Sequence, residues 1–199
     1  MTKYPVMEYF YSVQGEGVYA GQAAFFVRLG GCDVGCVWCD VKDSWDAESH
    51  PKMTVDALIQ EAEKHPTKLI ILTGGEPAMY NMTAFCDLFR SKGYRLHIET
   101  SGAYPIVGDF DWITFSPKKF KAPLKEVAAQ ADELKVVVFN KSDLQWAETH
   151  QEMVPVSCKL FLQPEWDKRE ITEKIIFDYV LQHPSWQVSL QIHKYLGVD

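Results

Sequence analysis

The stretch Ala24-Phe25-Phe26-Val27-Arg28-Leu29-Gly30-Gly31-Cys32-Asp33-Val34-Gly35-Cys36-Val37-Trp38-Cys39 carries two readings at once. Its first six residues are an apolar run broken by one arginine, the pattern of a buried strand. Gly30-Gly31 ends the strand and opens a loop holding Cys32, Cys36 and Cys39. Three thiolates at C-x3-C-x2-C spacing can hold three corners of a cubic iron–sulfur cluster. Full ligation needs a fourth cysteine, and none lies nearby. One iron is then left to bind a small molecule. Structural zinc takes four protein ligands, but the sequence offers no second C-x2-C pair, and the nearest histidine, His50, sits in a polar loop. A disulfide framework calls for an even cysteine count in a small secreted chain. This chain has five cysteines, no signal peptide and no apolar stretch long enough to span a membrane. Reduced cysteines and no targeting segment place it in the cytoplasm.

An arginine inside an apolar strand needs a partner. For Arg28 that partner is a carboxylate, of the protein or of a ligand. Upstream, Met7–Tyr11 reads as extended and leads into Ser12-Val13-Gln14-Gly15-Glu16-Gly17, whose two glycines let backbone amides approach a ligand closely.

Downstream the same unit of strand, then polar motif, then helix recurs. Thr54 is the expected N-cap of a helix over 51–65, with Val55, Leu58, Ile59 and Ala62 on one face. Leu69–Leu72 is a strand followed by Thr73-Gly74-Gly75-Glu76-Pro77. Met82–Lys92 reads as a helix closed by Gly93. Arg95–Ile98 is a strand followed by Glu99-Thr100-Ser101-Gly102, and Trp112–Phe115 a strand followed by Ser116-Pro117-Lys118. Leu134–Phe139 and Lys159–Leu162 are the fifth and sixth strands, the last followed by Gln163-Pro164. A helix over 171–183 and an extended run over 187–192 complete the pattern. Strands alternating with helices imply a parallel sheet covered by helices, with ligands at the C-terminal edge of the strands. A full eight-fold barrel takes about 250 residues. A chain of 199 residues, with too little length over 100–111 for a crossover helix, fits an incomplete α/β barrel of about six parallel strands.

The length suits a single domain, 1–199, with no repeat, low-complexity segment or linker. Hydrophobic residues at 47% and charged residues at 24% are ordinary for a globular enzyme. The net charge of −7 argues against a nucleic-acid partner, which would need a basic face. Cys86 lies in an amphipathic pattern and Cys158 before an apolar run, so both read as small buried hydrophobes.

The cysteine spacing resembles that of the radical S-adenosylmethionine (SAM) superfamily, and Thr73–Pro77 looks like its GGEP element. Phe10–Gly17, Arg28, Glu99–Gly102, Ser116–Lys118, Gln163-Pro164 and Gln191-Ile192-His193-Lys194-Tyr195-Leu196 follow in order. Together they closely resemble the 7-carboxy-7-deazaguanine synthase family, from about Tyr9 to the last residue. The resemblance implies a lyase that converts 6-carboxy-5,6,7,8-tetrahydropterin into 7-carboxy-7-deazaguanine with loss of ammonia, in queuosine and deazapurine biosynthesis. It also implies a [4Fe-4S] cluster, SAM, a magnesium ion, a homodimer and a reductant such as flavodoxin or ferredoxin.

Residue by residue, the resemblance makes Cys32, Cys36 and Cys39 the cluster ligands. It sets Trp38, Cys39 and Asp40 beside SAM, with Gly74, Gly75 and Glu76. Further SAM contacts are Glu99, Thr100, Ser116, Pro117 and Lys118, then Gln163, Pro164, Glu165 and Trp166. Substrate contacts are Val13, Gln14, Gly15, Glu16, Arg28, Thr73, His193 and Asp199. Two positions depart from the family. Val41 stands where a threonine or serine usually offers a hydroxyl to magnesium, and Ile192 replaces a threonine in the final motif. Two other functions share some features: a glycyl-radical-enzyme activase and a small iron–sulfur electron carrier. The first has no evident use for a buried arginine, and the second none for a GGEP loop.

Overall fold

Strands at the sheet centre begin as apolar runs, while Arg95–Thr100 and Glu133–Val138 place polar side chains at alternate positions, which sorts the two faces of a single sheet. The computed structural model describes residues 2–198. Its strands are β1 (Lys3–Val13), β2 (Ala23–Leu29), β3 (Lys52–Thr54), β4 (Leu69–Gly74), β5 (Arg95–Thr100), β6 (Trp112–Phe115), β7 (Glu133–Val138), β8 (Lys159–Pro164) and β9 (Trp186–Val188). The helices are α1 (Val55–Ala62), α2 (Thr83–Ser91), α3 (Lys125–Ala128), α4 (Ser142–Gln151), α5 (Arg169–Gln182) and α6 (Ile192–Leu196). Among the described residues the strands form one open sheet in the order β3-β1-β2-β4-β5-β6-β7-β8-β9.

From β2 onward every pairing is parallel. The six expected parallel strands are present, and β9 adds a seventh. β1 pairs antiparallel with β2 and with β3. The loop between β1 and β2 is too short for a crossover helix, so the chain reverses instead.

One face of the sheet packs under helices. Ile70, Leu72, Leu96 and Ile98 join Leu58, Phe85 and Phe89 in one apolar cluster. Leu134, Val136, Leu160 and Leu162 join Ala147 and Ile176 in another. Cys86 and Cys158 lie in these two clusters, as their patterns predict. The opposite face carries the polar alternates, Thr73, Glu99, Lys135 and Gln163 among them, and these line the site.

The caps follow the sequence. Thr54 Oγ1 accepts the Ala57 N–H at 3.3 Å, and Gly93, at φ +75°, ends α2 in the left-handed conformation. No helix joins β5 to β6, as the short segment predicts. The sequence does not announce β3, α3, α4 or α6, and one expected strand ends early. The expected strand over 187–192 leaves the sheet after Val188, because Ser189 Oγ bonds Gln163 and Gln191 bonds Glu16 inside the molecule. Helix α4 buries Asp143 and His150 beside Leu144 and Ala147, and those polar residues break the apolar period that would announce it.

Candidate active site

The polar motifs meet in one pocket at the C-terminal edge of the parallel strands. Its lining takes in every site residue expected from the sequence except Glu76, Pro117 and Asp199. Asp199 lies outside the described residues. Pro117 is buried behind its neighbours Ser116 and Lys118.

Glu76 is 1% exposed, and its carboxylate is spent on the protein. Oε1 accepts the Ala78 N–H at 3.0 Å and the Thr100 hydroxyl at 2.6 Å. Oε2 accepts both the N–H and the hydroxyl of Ser101. Glu76 thus ties the loop after β4 to the loop after β5, rather than facing the pocket. Gly74 and Gly75 owe their identity to close approach. A side chain on Gly74, at φ +127°, would meet the Leu29 backbone at 2.3 Å, and one on Gly75 the Gly31 carbonyl at 2.3 Å.

Cys32, Cys36 and Cys39 line one wall, all as free thiols. Their loop is pinned by the Cys32 N–H to the Trp45 carbonyl at 3.1 Å and by the Cys39 N–H to the Cys36 carbonyl at 3.1 Å. Burial pushes the Cys36 thiol up to about 11, although the Lys118 ammonium opposes it. Among the described residues no three Cys, His, Asp or Glu side chains converge on a single ion. Three free thiols with no fourth cysteine beside them match a body held at three corners better than a structural zinc, which takes four protein ligands.

The floor of the same pocket carries an ionic network. Lys135 Nζ contacts Glu16 Oε2 and lies 3.6 Å from Glu99 Oε2. Glu16 Oε1 accepts from Gln163 Nε2 at 3.0 Å and Gln191 Nε2 at 2.8 Å. Glu99 accepts from Gln14 Nε2 at 2.9 Å and from Thr73 Oγ1 at 3.5 Å, which joins it to this network. Burial alone would raise the Glu16 carboxyl, but the Lys135 ammonium outweighs it and brings it down to about 2. Burial likewise opposes the charge on Lys135, yet Glu16, Glu99 and Glu133 drive its pKa above the usual lysine range. Sequence reasoning does not single out Lys135. The signal is the one that marks Arg28, a lone cation in an apolar strand.

Arg28 stands directly opposite Glu8 because the β1–β2 register shifts between Val6 and Glu8. Its Nε donates to Glu8 Oε1 at 2.6 Å. Among the described residues the two terminal guanidinium nitrogens of Arg28, a pocket-lining residue, make no protein hydrogen bond. The chain end closes the site. The Ile192 N–H reaches the Gly15 carbonyl at 3.0 Å, and Lys194 Nζ reaches Asp40 Oδ2 at 2.6 Å. The His193 ring lies where any side chain on Gly15 would sit, 1.8 Å from the position of a Cβ. Burial lowers the His193 pKa, so its ring is held toward the neutral form.

Residues 26–113 match the model of the Radical SAM superfamily. The three-cysteine wall, the glycine loop after β4 and the partial parallel barrel together define a radical SAM enzyme. The chain is 48% identical over 197 residues to a 7-carboxy-7-deazaguanine synthase of Synechocystis, covering 99% of this chain and 94% of that protein. It is 49% identical to one of Flavobacterium psychrophilum, covering 98% and 92%. A crystal structure of QueE from Escherichia coli superposes with a TM-score of 0.83 at 26% identity, over 94% of this chain and 93% of that one. The chain belongs to the 7-carboxy-7-deazaguanine synthase family.

Proposed function

We propose that this chain converts 6-carboxy-5,6,7,8-tetrahydropterin into 7-carboxy-7-deazaguanine with loss of ammonia. The observation that carries the reading is the pairing of two sets of residues in one pocket. Three free cysteines and a glycine loop share one pocket with Arg28 and a carboxylate network held by Lys135. When bound, the cluster and SAM supply a radical that removes a hydrogen from the substrate. Cys32, Cys36 and Cys39 hold the cluster. Gly74, Gly75, Ser116, Lys118 and the segment Gln163–Trp166 line the SAM side. Arg28 offers its two terminal nitrogens to the substrate carboxylate. Glu16 and Glu99, fixed by Lys135, form an ionised floor that orients the pterin. Orientation matters because a reactive intermediate attacks whatever lies nearest.

The same reading takes the enzyme as a cytoplasmic homodimer fed by a flavodoxin or ferredoxin. Among the described residues no helix is long and apolar enough to cross a membrane. Magnesium has a reduced role, because the hydroxyl expected of the family is absent and Val41 lines the pocket in its place.

Anaerobic reconstitution followed by mass spectrometry of the pterin product tests the assignment. The expected result is about four irons per chain, 5′-deoxyadenosine on reduction, and the deazaguanine acid when the carboxylated pterin is added. Cys36→Ala should abolish SAM cleavage, and Cys86→Ala should leave it intact. SAM cleavage retained in Cys36→Ala, or a wild-type protein that leaves the pterin unchanged, would sink it.

A further inference from the structure

The interior of the partial barrel continues beneath the floor of the site. Inward positions recur every second residue along a strand. On β5 these are Arg95, His97 and Glu99; on β7 they include Glu133 and Lys135. The members nearest the C-terminal edge line the site. Of those below, His97 and Glu133 line a second, smaller cavity with room for one water-sized molecule. Gln14, Glu16 and Glu99 line both spaces, so the small cavity sits against the floor of the site. At its far side the Tyr19 ring packs on His97, centroids 4.5 Å apart, and edge-on to Trp112 at 5.0 Å. The Arg95 guanidinium covers Tyr19 from outside at 5.0 Å.

The lining of this cavity holds unmet hydrogen-bonding capacity. His97 is 3% exposed. Its Nε2 and the Trp112 Nε1 are buried and have no hydrogen-bond partner among the described residues. The Glu133 carboxylate, also 3% exposed, accepts the Val18 N–H through Oε2 at 2.9 Å. Thr114, likewise buried, completes the wall. An indole N–H can only donate, whereas the Glu133 oxygen that takes the Val18 N–H accepts; burial raises the Glu133 pKa and the Lys135 ammonium opposes that rise. An occupant that satisfies both must therefore accept and donate. Water and ammonia do so. An ammonium ion and an alkali cation have no lone pair to offer the indole N–H. Burial brings the His97 pKa down to about 4, so its ring is neutral and adds no competing charge.

We propose that this cavity is a built site for one neutral molecule that both accepts and donates hydrogen bonds, either water or the ammonia expelled at the site floor. The ammonia alternative rests on the reaction proposed above. It gives the nitrogen a place to go on the side away from SAM, behind Glu16 and Glu99, while the pterin still occupies the pocket.

A crystal structure of the reconstituted holoenzyme tests the site itself. The expected result is ordered density within hydrogen-bond distance of His97 Nε2 and Trp112 Nε1. Kinetics then separate the two occupants. Ammonium chloride at alkaline pH supplies ammonia, and methylammonium chloride supplies an amine too large for the cavity. Inhibition of pterin turnover by the first salt alone identifies ammonia. His97→Phe, which fills the space, should then raise the half-inhibitory concentration roughly tenfold. Thr114→Val serves as the second variant where His97→Phe does not fold. Density without inhibition identifies water and keeps the site. Density bonded to neither nitrogen, or none at all, overturns the proposal. A protein that binds in this cavity yet never turns over the pterin would instead refute the reaction, so the two failures are distinct.

Discussion

Lys135 and Glu16 are joined at the floor of the site across 119 positions of sequence, with the lysine side chain only 5% exposed. A buried ion pair is weak evidence of net stability, but removing one partner strands the other charge. Lys135→Met should therefore destabilise the protein by about 3–5 kcal/mol, read as a lower denaturant midpoint. The double variant with Glu16→Gln should lose less than the sum of the two single losses. Strict additivity would mean that the two groups do not depend on each other.

The folded pKa of His97 is depressed from 6.5 to about 4 by burial. The unfolded chain therefore takes up the proton first as pH falls. Its contribution to stability is present above pH 6.5 and is lost progressively as pH falls toward about 4. Urea unfolding across that window should show the decline, and His97→Phe should flatten it. A profile that slopes equally in the variant would assign the effect to other groups.

Arg28 has Nε committed to Glu8, and among the described residues its two terminal nitrogens make no hydrogen bond. Arg28→Lys keeps the charge and loses the fork, so pterin affinity should fall by about 1 kcal/mol or more. SAM binding should hardly change. Glu8→Gln should weaken pterin binding less than Arg28→Lys, because Glu8 only steadies the arginine. Unaltered affinity in Arg28→Lys would confine the arginine to its pair with Glu8.

Val41 gives a test by gain. Magnesium prefers octahedral oxygen ligands and keeps several waters. Turnover by the wild-type protein should survive a chelator that spares the cluster. Val41→Thr should acquire a dependence on added Mg²⁺. Complete loss in chelator, rescued by Mg²⁺ alone, would show that the wild-type site holds the ion without that hydroxyl.

The chain order of strands was legible because parallel strands are buried on both sides and read as apolar runs ended by glycine or a polar motif. Ile70–Leu72 has that form, whereas Leu96-His97-Ile98 alternates. The site was legible for the same reason, since its motifs sit where strands stop. The pairing of Lys135 with Glu16 was not, because nothing local to either residue encodes a contact at such separation. The register shift that sets Glu8 against Arg28 and the exit of Ser189 from the sheet were hidden likewise. Each depends on a partner strand or a distant side chain. Glu76 shows the converse. Its motif was plain, yet whether the carboxylate faced a ligand or the protein depended on Thr100 and Ser101.

Glu16 gathers bonds from residues 119, 147 and 175 positions away. In folding, contacts of that span come late, since long loops must close before they form. The strands and their covering helices can condense first around β4, β5 and α2, whose contacts are nearer in sequence. The floor of the site is then the last part to lock and the first to let go. Substitutions at Glu16, Gln163 or Gln191 should speed unfolding while leaving the folding rate nearly unchanged. The enzyme's lifetime under stress is thus set by the same side chains that await the substrate.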